Sequence, residues 1–267
     1  MKRRILYVFL ISCGICSSAC ITLGPNPKDI QRAETFYSIG VRQANDGQHR
    51  QALASLMKAQ ELHPNNYWIQ EAIGGVFMQI GRPKTAIIHY RKALSIEPKS
   101  PRGWNNIGTA YMAIGQWQQA IKAFHIALDN VLYQTPCFAR INIGWAYHKI
   151  GDSKRSQQYF NQTKMACRRY CQGHRLSGLA AFEDKKYKIA LESFKQLTTL
   201  CEDYAEGYYW LARSLFELKD YQQAISNLRR CLKLSRPQSE LQQHCTNYLL
   251  KAEQSWTASY GQKAKQP

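Results

Sequence analysis

The sequence predicts an all-α superhelical solenoid, six helix-turn-helix repeats closed by a C-terminal capping helix. Two observations carry this. Gly40, Gly74 and Gly108 are each 34 residues apart, and the series Ala52, Ala86, Ala120 and Ala59, Ala93, Ala127 keep the same step; a fixed period of that length is the mark of stacked helical hairpins. Pro64 and Pro98 fall at the same interval, where a residue that cannot continue a helix would end each unit. Hydrophobic content of 45% is enough for a core and excludes wholesale disorder.

Residues 1–19 read as a signal peptide. Lys2, Arg3 and Arg4 precede the apolar run Ile5 to Ile11, and small residues follow up to Ser17-Ser18-Ala19-Cys20, a layout too short for a spanning helix. The cysteine after small residues resembles a bacterial lipobox, with Ser17 where that pattern prefers Leu. The resemblance implies lipidation at Cys20; Cys13, after Leu10-Ile11-Ser12, is a second candidate with a shorter apolar core. Neither is followed by Asp, which by resemblance to lipoprotein sorting implies the outer membrane, periplasmic face. Residues 20–32 then read as a lipidated cysteine and linker. Gly24, Pro25 and Pro27 argue for an extended tether reaching at most ~40 Å.

Residues 33–238 hold the six repeats. The glycine, alanine and proline series match positions 8, 20, 27 and 32 of the tetratricopeptide repeat, which the chain resembles over most of its length; Trp104, Tyr111 and Phe124 stand where that family has large residues. Two helices approach closely only where side chains are small, which explains Gly and Ala at the crossing points. A two-residue insertion around Asn130–Thr135 shifts the register. Repeat four, from near Cys137, carries Gly144, Tyr147 and Phe160, with Ser156 and Thr163 in place of alanines. Repeat five, from near Cys171, carries Gly178, Ala190 and Phe194; repeat six, from near Ala205, carries Leu211, Ala212, Ala224 and Cys231. Residues 239–256 read as a capping helix over the last exposed face, and 257–267 as a disordered tail.

First helices of such repeats line a concave groove. The groove positions hold Tyr37, Trp68 and Met78, then Arg102, Asn105 and Met112, then Phe138, Ile141, Trp145, His148 and Lys149, and finally Arg175, Phe182, Tyr209, Arg213 and Phe216. Aromatics and arginine dominate binding hot spots, so the set is a candidate partner-binding surface for an extended or helical protein segment. The competing reading is that single rings pack between repeats. The carboxylate clamp of chaperone-binding repeats is absent, because Tyr37 and Val41 occupy its first two places.

Beyond Cys20, six cysteines remain: Cys137, Cys167, Cys171, Cys201, Cys231 and Cys245. An even number behind an export signal points to disulfides. Cys137 and Cys167 sit at positions 1 and 31 of repeat four, and Cys171 and Cys201 at the same positions of repeat five, at one end of an antiparallel pair. Those pairings, with Cys231–Cys245 tying repeat six to the cap, are favoured; free buried cysteines and a metal at Cys167, Cys171 and His174 are the alternatives, the latter lacking a fourth ligand.

Lys and Arg number 36 against 18 Asp and Glu, a net charge of +18, spread along the chain without a run, so a solvated basic surface is favoured over nucleic-acid binding. No catalytic triad, phosphate-binding glycine loop or HExxH helix is present, and the seven histidines are scattered, so neither an enzyme nor a cofactor, metal or small-molecule site is expected. Tyr133-Gln-Thr-Pro136, followed by Ala139, Asn142, Gly144, Trp145, Ala146 and Tyr147, is similar to the opening of the fourth repeat in the pilotin lipoproteins of type IV pilus systems (the PilF, PilW and Tgl group). That resemblance implies a lipid-anchored assembly factor that binds the outer-membrane secretin and promotes its localisation and multimerisation. The alternative is a general periplasmic repeat scaffold for envelope assembly or peptidoglycan-associated proteins.

Overall fold

The computed structural model describes residues 26–167 and 169–263. The signal peptide, Cys13, Cys20 and residues 264–267 of the expected tail lie outside them. Thirteen helices and no strands occur among the described residues. Six antiparallel pairs succeed one another: α1 (Pro27–Asn45) with α2 (His49–Leu62), α3 (Tyr67–Gln79) with α4 (Pro83–Ile96), α5 (Pro101–Ala113) with α6 (Trp117–Leu128). Then come α7 (Pro136–Lys149) with α8 (Ser153–Ala166), α9 (Cys171–Glu183) with α10 (Tyr187–Leu200), and α11 (Ala205–Glu217) with α12 (Tyr221–Leu234). Helix α13 (Glu240–Lys263) packs on α12 and α11.

The repeating glycine has a definite neighbour. A Cβ built on Gly108 would lie 2.7 Å from Cε1 of Phe124, and those on Gly74, Gly144 and Gly178 would meet the rings of Tyr90, Phe160 and Phe194. Each of these four glycines thus admits the large side chain of its own second helix against bare backbone, which draws the pair together. The alanines at the other crossing points, among them Ala52, Ala86, Ala120, Ala190 and Ala224, are wholly buried. Between the two helices of a pair the chain turns through a left-handed residue. Gly47, Gly81, Gly115 and Gly151 fill this place in the first four repeats, and Lys185 and Lys219, with φ of 60° and 63°, in the last two.

Each first helix contacts the next first helix, whereas the backbones of successive second helices stand apart. The first helices therefore occupy the inner, shorter arc of a curved stack and the second helices the outer one. Disulfides join Cys137 to Cys167, Cys171 to Cys201, and Cys231 to Cys245, with Cα–Cα separations of 6.2, 6.5 and 6.3 Å. The first two close the open ends of the fourth and fifth pairs, and the third fastens α12 to α13.

The boundaries differ at both ends from those read in the sequence. The expected tether to Arg32 is helical from Pro27: the Asn26 side chain accepts from the Lys28 N–H at 3.0 Å, Pro27 opens the helix and Asp29 lies in its first turn, together a complete start signal. At the other end α13 runs on to Lys263, so the stretch 257–263, expected to be disordered, continues the helix. It contains no proline to stop it, and its only glycine, Gly261, is tolerated inside a helix at a modest cost.

Candidate partner-binding groove

Three clusters follow one another along the inner arc. The first lies between α1, α3 and α5. Glu71, only 3% exposed, accepts from Asn106 Nδ2 at 2.7 Å and pairs with Arg102 Nε at 2.5 Å. Arg102 is itself largely exposed and stacks over Trp68, 5.3 Å from the ring centre; Trp68 is 47% exposed. Burial pushes the Glu71 carboxyl above its ordinary range, and Arg102 and Asn106 offset that only in part. Beside this group opens a cavity of about 170 Å³ with an apolar wall from Val41, Leu56 and Val76 and polar edges from Tyr37, Glu71 and Arg102. Burial and the nearby Glu71 charge raise the Tyr37 phenol, so it stays a neutral hydrogen-bonding group. Asn105 is half-buried, and its Oδ1 has no protein partner.

The second cluster lies where α7 meets α9. Lys149 Nζ sits 4.4 Å from the Trp145 ring centre and donates to Glu183 at 2.6 Å, while His148 Nε2 lies 2.9 Å from the same carboxylate. His148 Nδ1 is 3.6 Å from Asp184. Burial raises the Glu183 carboxyl, but its hydrogen bonds with Lys149 and His148 outweigh this and hold it below the ordinary carboxylate range. Phe138 is 45% exposed and meets Tyr170 edge-on. Ile141 corrects the sequence reading: it is 1% exposed, packed with Phe160 and Ala180. The contact between α7 and α9 is the broadest between neighbouring first helices, because α9 presents the small side chains Ser177, Ala180 and Ala181, and Ile141 falls inside it.

The third cluster joins α9, α11 and α13. Arg175 makes a two-pronged contact with Glu206, Nη2–Oε1 at 2.9 Å and Nε–Oε2 at 3.2 Å, and Glu206 also accepts from Tyr204 and from Trp210 Nε1. Burial raises the Glu206 carboxyl, yet these donors leave it below its ordinary range. Arg213 lies over four rings, those of Tyr248 at 4.6 Å, Phe182 at 4.8 Å, Trp210 at 5.0 Å and Tyr209 at 5.7 Å. Tyr209 is a second correction: it is 7% exposed, covered by His244 and Tyr248 of α13. Phe216 packs against Tyr221 and Tyr248 with Lys251 above it. An open depression of about 280 Å³ between Glu206, Trp210, Leu241 and His244 remains at this end.

The expected residues thus separate. Tyr37, Trp68, Arg102 and Asn105 gather at one end, and Phe138, Trp145, His148 and Lys149 in the middle. Arg175, Phe182, Arg213 and Phe216 gather beneath the cap, where Arg213 and Phe216 hold the final helix as much as they face the groove. The carboxylates that position the cations, Glu71, Glu183 and Glu206, were absent from the expected set. A signal existed: in both Arg102–Glu71 and Arg175–Glu206 the partners are 31 residues apart, about one repeat, on helices with few other charges. Among the described residues no group of three or more His, Cys, Asp or Glu side chains could hold a metal ion, and Cys167 and Cys171 are each bonded to another cysteine.

Tetratricopeptide-repeat models match residues 74–115, 104–135, 139–162 and 205–237, all within the helical repeats, the last spanning the sixth pair. The type IV pilus assembly protein PilF of Pseudomonas aeruginosa is 25% identical over 169 residues, which cover 61% of this chain and 66% of that protein, just under two thirds of its length. The crystal structure of PilW, described as a widely conserved type IV pilus biogenesis factor, superposes with a TM-score of 0.71 at 21% identity, over 80% of this chain and 97% of that one. The Pseudomonas aeruginosa PilF structure superposes with a TM-score of 0.64 at 20% identity, over 83% of this chain and 99% of that one. At such identities the structural likeness establishes the fold, a tetratricopeptide-repeat solenoid.

Proposed function

We propose that this solenoid is an outer-membrane lipoprotein, acylated at Cys20 on the periplasmic face, that binds the type IV pilus secretin in its groove and promotes its localisation and multimerisation without catalysing a reaction. The observation that carries the reading is the pairing of cation and ring along the inner arc: Arg102 on Trp68, Lys149 on Trp145, Arg213 on Phe182. Carboxylates fix Arg102 and Lys149 in place, so part of the ordering entropy of binding is spent in the free protein. A partner segment then meets preformed, partly apolar ledges with charged rims, the anatomy of a hot-spot surface. Similarity to PilF and PilW supports type IV pilus biogenesis as the setting.

The test is a gel assay of secretin multimers in outer membranes from wild type and from a strain lacking this protein. Loss of the heat-resistant multimer while monomer persists is expected. Normal multimers in the deletion strain would sink the reading and leave a general envelope scaffold. Trp145→Ala in the complemented strain should lower multimer yield, with the folded content measured by circular dichroism unchanged.

A further inference from the structure

The charge of the chain is distributed by helix. The six second helices carry fourteen Lys and Arg against two acidic residues, Glu61 and Glu192, whereas the six first helices carry eight against six. The excess therefore sits on the outer arc. From α4 through α6 to α8 the second helices hold seven basic residues and no acidic one. Lys84, Lys92, Lys122 and Lys154 are exposed there, and none enters a salt bridge among the described residues. On α4, Lys84, Ile88 and Lys92 follow at intervals of four and share one helix face. Lys122 stands 34 residues after Ile88, on the equivalent face of α6.

Aliphatic side chains are mixed with these cations. Ile88 is 65% exposed, Met165 78%, and Ile189, further along the same arc, 46%. Exposed aliphatics beside lysines suit a bilayer surface, where the ammonium groups meet lipid phosphates and the aliphatic ends enter the region below them. A nucleic-acid backbone would use the lysines and gain little from the aliphatics; single strands are gripped through stacked aromatics, and no aromatic side chain of α4, α6 or α8 is exposed. We propose that the outer face of α4, α6 and α8 binds anionic phospholipid headgroups, laying the solenoid with its groove turned away from the bilayer. This face is separate from the groove, and its test alters no groove residue.

The test uses residues 20–267 with Cys20→Ser, so that neither the signal peptide nor an acyl chain contributes, and sedimentation with vesicles of phosphatidylcholine alone or mixed with phosphatidylglycerol. Binding to the mixed vesicles only, weakening as salt rises, is expected. Each exposed lysine removed should lower the partition about five-fold, so Lys84→Gln, Lys92→Gln and Lys122→Gln together should lower it on the order of 100-fold. A control with the same change in net charge, Lys28→Gln, Arg42→Gln and Lys219→Gln, should bind nearly as well as the parent. Circular dichroism melts check that each variant is folded. Equal losses in the two triple variants would overturn the proposal in favour of diffuse net charge. Binding to duplex DNA with none to mixed vesicles would overturn it in favour of a nucleic-acid surface.

Discussion

Replacing Arg213 with methionine keeps an unbranched stem of similar reach and removes a guanidinium that covers four rings on three helices. Those rings lie 4.6 to 5.7 Å from the guanidinium carbon. A cation over one aromatic face is worth about 0.5–1 kcal/mol when exposed and about 2 when desolvated. Arg213 is half-buried and its Nε is shielded from water, so the nearest ring contributes about 1 kcal/mol and the others, sharing one charge, add less than proportionately. The sum is about 2 kcal/mol, and it falls on the docking of α13 against α9 and α11. Because a solenoid unfolds through its interfaces, the loss should appear locally before it appears globally. Hydrogen exchange at the amides of α13 should therefore quicken on the order of 30-fold, with little change in α1–α6. Arg213→Lys keeps the charge without the planar fork and should fall between the two. Unchanged exchange in α13, or identical behaviour of the Met and Lys variants, would refute the assignment of this residue as the clasp of the cap.

Arg102→Met leaves Glu71 buried with Asn106 as its remaining partner, costing about 1–2 kcal/mol near neutral pH, discounted from a fully buried pair because Arg102 is solvated. Glu71 already has a raised carboxyl, and an acid raised in the folded state costs stability as pH rises through the window between its unfolded and folded values; the variant's deficit should therefore shrink on going to about pH 5 in urea titrations, and Glu71→Gln should rescue it. Gly108→Ala drives a methyl into the buried ring of Phe124 and should cost about 1–3 kcal/mol, whereas Gly115→Ala, with φ of +73° and nothing within 4 Å, should cost about 1 kcal/mol; melting temperatures should rank in that order. Reducing Cys137–Cys167 or Cys171–Cys201, which close loops of 30 residues, should lower stability by about 3–4 kcal/mol; partial proteolysis under reductant should then release a fragment containing the first three repeats intact.

The repeat period was legible because its cause is local and recurs in the first three units: one glycine, one large side chain across from it, and one buried alanine. The start of α1 was misread as tether, because Pro27 was counted with Gly24 and Pro25 as a linker residue although Asn26, Pro27 and Asp29 form a helix cap. Ile141 and Tyr209 could not be placed from their own repeats. Whether an inward-facing side chain stays exposed depends on how near the next first helix comes, and that is set by small residues some 35 to 40 positions on, Ser177 and Ala180 for Ile141, and by the cap for Tyr209. The carboxylates under the groove were hidden for a similar reason, since each answers a cation in the neighbouring repeat and not in its own.

The three disulfides link cysteines that are successive in chain order: Cys137 with Cys167, Cys171 with Cys201, Cys231 with Cys245. Among the described residues no bridge spans another. A polypeptide that meets an oxidant N-terminus first forms each of these bonds from two thiols that arrive one after the other, before the next pair is available. Vectorial oxidation alone then leads to the native connectivity, whereas interleaved pairs would need the slow exchange of wrongly joined sulfurs. On the exported chain proposed above, vectorial oxidation would join these six thiols in native order without the help of a disulfide isomerase.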